Sequence, residues 1–134
     1  MNDQKVRIAC VGAGYFARFH VEAWRRIPGV ELVALCDLNL DRARALGGRF
    51  GVETLYDDFS RMLAAEAFEV VDLITPPETH AGLCRQAFAA GRHVICQKPL
   101  APTLREATGM VEAARQHGRR LLGGLDVTHR VPPA

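Results

Sequence analysis

Between Val6 and His20 the chain reads VRIACVGAGYFARFH: an apolar run, a glycine turn, then a helical pattern. Val6, Ile8, Ala9, Cys10 and Val11 are nearly continuous rather than alternating, which predicts a strand buried on both faces. After Gly12-Ala13-Gly14, apolar character returns at Phe16, Phe19, His20, Ala23, Trp24 and Ile27, predicting a helix from about Tyr15 to Arg26 with that face inward. A turn of this kind delivers backbone N–H groups to the positive end of a helix, where a phosphate is well placed. In the dinucleotide-binding pattern the first glycine makes the turn, the second admits the pyrophosphate, and the third lets helix and strand pack closely. Gly12, Gly14 and Ala17 hold those positions, alanine being an accepted variant at the third.

The rest of the chain continues the alternation. Strands are predicted at Val30–Cys36, Val52–Tyr56, Val70–Ile74, His93–Cys96 and Arg119–Gly124. Between them lie helices at about Leu40–Phe50, weakened by Gly47-Gly48, Asp57–Ala65, Glu78–Ala90 and Thr103–His117. Such alternation implies an α/β fold with a doubly wound parallel sheet of about six strands, of the Rossmann type. Ligands of these sheets bind beyond the carboxyl ends of the strands, near the point where strand order reverses. Gly12, Gly14, Asp37, Thr75 to Pro77 and Gln97 to Pro99 all fall at such ends.

Asp37 ends the second strand, 20 residues after Ala17, where the pattern expects an acid to accept hydrogen bonds from the adenosine ribose hydroxyls. A carboxylate there repels a 2′-phosphate, favouring NAD over NADP. The other reading makes Asp37 a cap for the helix beginning near Asn39, and both can hold together. A glycine turn followed by an acid also suits a methyltransferase that binds S-adenosylmethionine, so the later segments must decide.

Composition narrows the partners. In 134 residues, 49% hydrophobic and 24% charged, there is material for one core and no signature of disorder. A net charge of +2 and isolated basic pairs at Arg25-Arg26 and Arg119-Arg120 argue against nucleic acid. No apolar run approaches a membrane span and no signal-peptide core follows Met1, so a cytoplasmic address is expected. Cys10, Cys36, Cys84 and Cys96 lack metal-ligand or CxxC spacing and read as reduced, buried small hydrophobes; no metal site is expected.

Two later segments carry a resemblance. Thr75-Pro76-Pro77-Glu78-Thr79-His80 is similar to a TP-x-x-x-H segment after the fourth strand, and Ala90-Gly91-Arg92-His93-Val94-Ile95-Cys96-Gln97-Lys98-Pro99 to an AGKHVxxEKP segment around the fifth. With the glycine turn and the terminal RVPPA, these resemble the glucose-fructose oxidoreductase / inositol dehydrogenase / MocA family along essentially the whole chain. The resemblance implies a nicotinamide-dependent oxidoreductase of sugars, cyclitols and related alcohols. Carried over by position, it implies Gly12, Gly14, Tyr15 and Phe16 around the pyrophosphate and Asp37 and Leu38 at the adenosine ribose. Thr75, Pro76 and His80 would line the cofactor path, with Gln97 beside it and Lys98 as the catalytic-site lysine. Chemically, a cation beside the reacting hydroxyl stabilises developing negative charge or relays its proton.

The chain departs from the family in two respects. Gln97 stands where the family has a glutamate, so no carboxylate precedes Lys98 to favour its protonated form. Family members also continue into a second α/β domain that supplies most of the substrate pocket, the lysine's partners and the usual oligomer contacts. The expectation is therefore residues 1–124 as a dinucleotide-binding domain and 125–134 as an exit segment toward a domain this sequence lacks. By itself such a chain would bind NAD and catalyse poorly, taking a polyol or sugar only with that domain. The alternative is a stand-alone, non-catalytic dinucleotide-binding or sensing module that pairs with another protein through an exposed apolar face.

Overall fold

Strand and helix alternate as the apolar periodicity requires. The computed structural model describes residues 4–123 and contains β1 (Val6–Val11), α1 (Ala17–Arg26), β2 (Val30–Cys36), α2 (Leu40–Phe50), β3 (Leu55–Tyr56), α3 (Phe59–Ala65), β4 (Val70–Leu73), α4 (Pro77–Ala89), β5 (His93–Cys96), α5 (Leu104–Gln116) and β6 (Leu121–Leu122). The expected exit segment and the end of the sixth strand at Gly124 lie outside the described residues. The strands form one six-stranded sheet in the order β3-β2-β1-β4-β5-β6, and every pair is parallel. Order reverses between β1 and β4, and this places the loops after Val11 and Leu73 side by side.

Neighbouring residues of a strand face opposite sides of a sheet, so a strand covered on both sides needs an unbroken apolar run. In β1, Ile8 and Cys10 join a cluster with Ala17, Val21, Leu32 and Leu46 beneath α1 and α2. Ala9 and Val11 join the opposite cluster with Met62, Phe88, Val94 and Met110 beneath α3, α4 and α5. Val6 departs from the prediction: it is 48% exposed, at the amino edge where neither cluster reaches it.

The first helix is a second correction. Its turn is occupied by Gly14, Tyr15 and Phe16, with the Ala17 N–H donating to the Gly14 carbonyl, so the helix starts at Ala17 rather than Tyr15. The inward stripe is Ala17, His20, Val21 and Trp24 at i, i+3, i+4 and i+7; Phe16, Phe19 and Ile27 are 69, 49 and 43% exposed, and Ala23 is exposed too. The small Ala17 lets the helix seat against the sheet. Two polar rings then lie inward because Asp72 receives them: Asp72 Oδ2 takes the Trp24 Nε1–H at 2.8 Å and lies 2.7 Å from His20 Nδ1.

Elsewhere the differences are at element ends. α4 opens on Pro77, whose missing N–H costs nothing at the first helical position, with Pro76 as its cap. β3 is only Leu55–Tyr56, because Val52 packs into the core from a loop instead of pairing. Gly47 does not weaken α2 without return: a Cβ there would lie 2.4 Å from the Val52 carbonyl oxygen, so glycine admits the returning chain. Among the described residues no helix is long and apolar enough to cross a membrane.

Candidate functional site

The site begins where β1 stops. Gly12 adopts φ +104, and a Cβ on it would sit 2.4 Å from the Ile74 carbonyl oxygen, so this position is dictated by the close approach of the chain leaving β4. Gly14 has nothing within 4 Å of such a Cβ and faces open space. Phe16 caps α1 without a side-chain hydrogen bond, and no acid occupies the first turn. The helix's positive end is thus left to an outside anion. Tyr15 and Phe16 stand outward, with rings edge to face at 5.3 Å.

Asp37 ties this turn to the end of β2. Its Oδ2 accepts the Ala13 N–H at 2.8 Å and its Oδ1 accepts the Asn39 N–H at 2.8 Å. The helix cap is Asn39, whose side chain accepts the Asp41 N–H, which leaves Asp37 free of the capping role. A carboxylate has about four acceptor sites, so Asp37 keeps capacity for two further hydroxyl donors. Leu38 beside it is 93% exposed. Burial, then the charges of Asp37, Asp58 and Asp57, push the neighbouring Cys36 thiol up to about 12, so it stands neutral in the wall.

A cleft of about 830 Å³ runs past these groups, lined by Gly12, Asp37, Leu38, Asn39, Arg42, Thr75, Pro76 and Thr79 among others. A second, of about 440 Å³, shares Thr75 and Pro76 and is lined by Gly14, Tyr15, Phe16, Ile74, Gln97 and Lys98. The two spaces meet at the carboxyl ends of β1 and β4, where strand order reverses. Lys98 is exposed, forms no ion pair among the described residues, and is joined to Pro99 by a cis peptide. Gln97 is also exposed, and its N–H donates to the Leu73 carbonyl at 3.4 Å.

His80 is placed differently from its expected position on the cofactor path. It is fully buried, with Nε2 2.8 Å from the Thr75 carbonyl oxygen and Nδ1 2.9 Å from that of Leu100. Its ring therefore stands behind the cleft wall. Several lining residues escaped the sequence reading, Arg42, Thr79 and Asn39 among them. Arg42 lies one turn beyond Asn39 on α2, a spacing that could have revealed it. Thr79 donates its hydroxyl proton to the Pro76 carbonyl at 2.7 Å and takes that of Thr75 at 2.6 Å. Asn39 was visible only as the edge of a helix.

A family model described as an oxidoreductase family with an NAD-binding Rossmann fold matches residues 6–125. D-apiose dehydrogenase of Paraburkholderia graminis is 46% identical over 114 residues, covering 85% of this chain and 30% of the relative. An oxidoreductase from Agrobacterium radiobacter, solved with NAD+, L-tartaric acid and magnesium, superposes with a TM-score of 0.85 at 32% identity, covering 88% of this chain and 34% of that one. The WlbA dehydrogenase of Bordetella pertussis, solved with NADH and UDP-GlcNAcA, gives a TM-score of 0.84 at 31% identity, covering 88% and 36%. The chain thus spans about a third of the length of these relatives.

Proposed function

The chain belongs to the glucose-fructose oxidoreductase / inositol dehydrogenase / MocA family of oxidoreductases, with its NAD-binding Rossmann fold, and from that premise we propose that it binds NAD in preference to NADP. The observation that carries this reading is Asp37: one carboxylate holds the glycine turn through Ala13 and keeps acceptor capacity toward the cleft. Vicinal ribose hydroxyls satisfy that capacity, whereas a 2′-phosphate would set two negative charges against each other. Arg42 on the same rim is the cation that could offset such a phosphate, and Asp37 outweighs it by lying at the turn itself.

The rest of the site fits the same ligand. Gly14 and the uncapped start of α1 suit a pyrophosphate, which a side chain at Gly14 would displace. Tyr15, Phe16, Thr75, Pro76 and Gln97 line the space beyond it. The nicotinamide ring, when bound, supplies the hydride acceptor. Lys98 reaches the same space and holds positive charge near a substrate hydroxyl, where it stabilises the alkoxide or takes part in moving its proton. The whole protein's reaction is read as dehydrogenation of a sugar, cyclitol or related polyol, with the substrate held largely by residues outside this match.

Calorimetric titration with NAD, NADP and S-adenosylmethionine tests the assignment. NAD should bind more tightly than NADP, and S-adenosylmethionine should give no heat. Asp37→Ala should weaken NAD by roughly 10- to 100-fold, the worth of hydrogen bonds to a charged acceptor. It should also narrow the gap between the two nucleotides. NAD binding that is absent, or indifferent to Asp37→Ala, overturns the reading.

A further inference from the structure

Behind the Thr75–Pro76 wall lie three side chains that the cofactor reading does not use: His80 and Cys84 on α4, and Cys96 at the end of β5. All three are buried, and the cysteines are free thiols. His80 Nε2 is 2.8 Å from the Thr75 carbonyl oxygen, while Nδ1 is 2.9 Å from the Leu100 carbonyl oxygen and 2.9 Å from Cys96 Sγ. A carbonyl oxygen only accepts. A neutral imidazole carries one N–H, so in either tautomer the other nitrogen would aim a lone pair at a carbonyl oxygen less than 3 Å away. Only the imidazolium donates from both sides.

A buried cation requires an opposite charge at hand. The Cys96 sulfur is the group in contact with this ring that can carry it, and the neighbouring Cys84 favours its ionised form. We propose that His80 and Cys96 form a buried imidazolium–thiolate pair that clamps the Gln97–Lys98–Pro99 turn. Cys96 precedes the turn and Leu100 follows it, so one ring grips both shoulders and fastens them to Thr75 at the end of β4. That the clamp serves Lys98 rests on the functional reading above; the ion pair itself does not. His80 and Cys96 are positioning residues, since neither side chain lines the cleft.

The surroundings agree with this charge arrangement. The hydrogen bond from Cys84 lowers the Cys96 thiol first, burial opposes it, and His80 adds to the lowering, with the result near 6. Burial works against the charge on His80, and the Cys96 contact with the two carbonyls raises it above its ordinary value. The other charged neighbours are Asp72 on β4, which disfavours the thiolate, and Arg85 on α4, which acts on Cys84. α5 presents the apolar Met110, Val111 and Ala114 to this side of the sheet.

Three measurements on the full 134-residue chain test the proposal. Ultraviolet thiolate absorbance should titrate near pH 6, vanish in Cys96→Ser, and move to higher pH in His80→Gln. Nitrogen chemical shifts of wild-type His80 should show both ring nitrogens protonated at neutral pH, a readout needing no variant to fold. A wild-type chain without neutral-pH thiolate, or with one bare His80 nitrogen, overturns the pair. Amide exchange at Gln97, Lys98 and Leu100 should quicken on the order of tenfold in Cys96→Ser, the loss of a charge-assisted hydrogen bond, while Ala13 stays unchanged. Thiolate present with unchanged exchange overturns the clamp. Loss of NAD binding in the wild type would instead strike the cofactor reading and leave the pair standing.

Discussion

A Cβ placed on Gly12 would meet the Ile74 backbone at 2.4 Å, whereas one placed on Gly14 would meet nothing within 4 Å. The two glycines of the turn therefore answer to different demands, the first to the fold and the second to whatever enters the cleft. Gly12→Ala must relieve a backbone clash and hold φ near +104, at a cost above about 2 kcal/mol. Gly14→Ala should unfold at the wild-type denaturant midpoint yet lose most NAD affinity, because its methyl group occupies the space assigned to pyrophosphate. Urea titration with calorimetry separates the two, and a Gly14→Ala chain that binds NAD normally would remove the pyrophosphate from this turn. The sequence names both glycines but cannot assign these roles, since the Ile74 carbonyl that constrains Gly12 comes from the chain leaving β4, some sixty residues away. The place of Asp37 at the end of β2 was legible by its spacing, but its hydrogen bond to the Ala13 N–H was not. His80 was legible as a motif residue and misplaced in space, because a sequence does not show which way a ring faces.

At the scale of elements, α1 is fixed to β4 by one buried carboxylate. Asp72 is fully buried; its Oδ2 holds Trp24 and His20, and its Oδ1 has no partner among the described residues. The hydrogen bond to Asp72 is the largest influence on His20 and raises its pKa above 6.5; burial opposes it and the Asp72 charge adds to it. A group raised on folding contributes stability that is whole below its unfolded value and is lost as pH climbs through its folded one. The chain should therefore lose stability as pH rises from about 6.5 through the His20 midpoint. Asp72→Asn should abolish that slope, bring the His20 proton titration to 6.5 or below, and cost about 2 kcal/mol. A His20 midpoint unmoved by Asp72→Asn would show that this contact does not fix α1. The same contact explains why helix spacing misread α1. The period rightly set His20 and Trp24 inward, but apolarity drew Phe16, Phe19, Ala23 and Ile27 onto the same face, because the Asp72 contact that turns Ala17 and Val21 inward beside them lies on another strand. Strands such as Val30–Cys36 and His93–Cys96, bounded by local turn signals, fall where the apolar runs put them.

At the scale of the whole molecule, the sheet reverses its order between β1 and β4, and the cleft spans that reversal. Asp37 and the glycine turn belong to the β3-β2-β1 half, Thr75, Pro76 and Lys98 to the β4-β5-β6 half. Alternation of strand and helix predicts the parallel order, and the order predicts the cleft, so this level was the most legible of all. A dinucleotide lying across the reversal touches both halves, and its binding energy adds to the stability of the domain as one unit. At free NAD one hundred times Kd the gain is about 2.7 kcal/mol. For a chain of this size that corresponds to a rise in Tm of about 10 °C. Calorimetric scans should show the shift growing with the logarithm of NAD concentration, smaller with NADP, and nearly absent in Gly14→Ala. Amide exchange should slow together at Ala13, Asn39, Thr75 and Lys98, because each lies on a loop that the ligand joins to the others. Protection confined to Ala13 and Asn39 would mean that the ligand stops at the reversal, and Lys98 would then lie outside the nucleotide site.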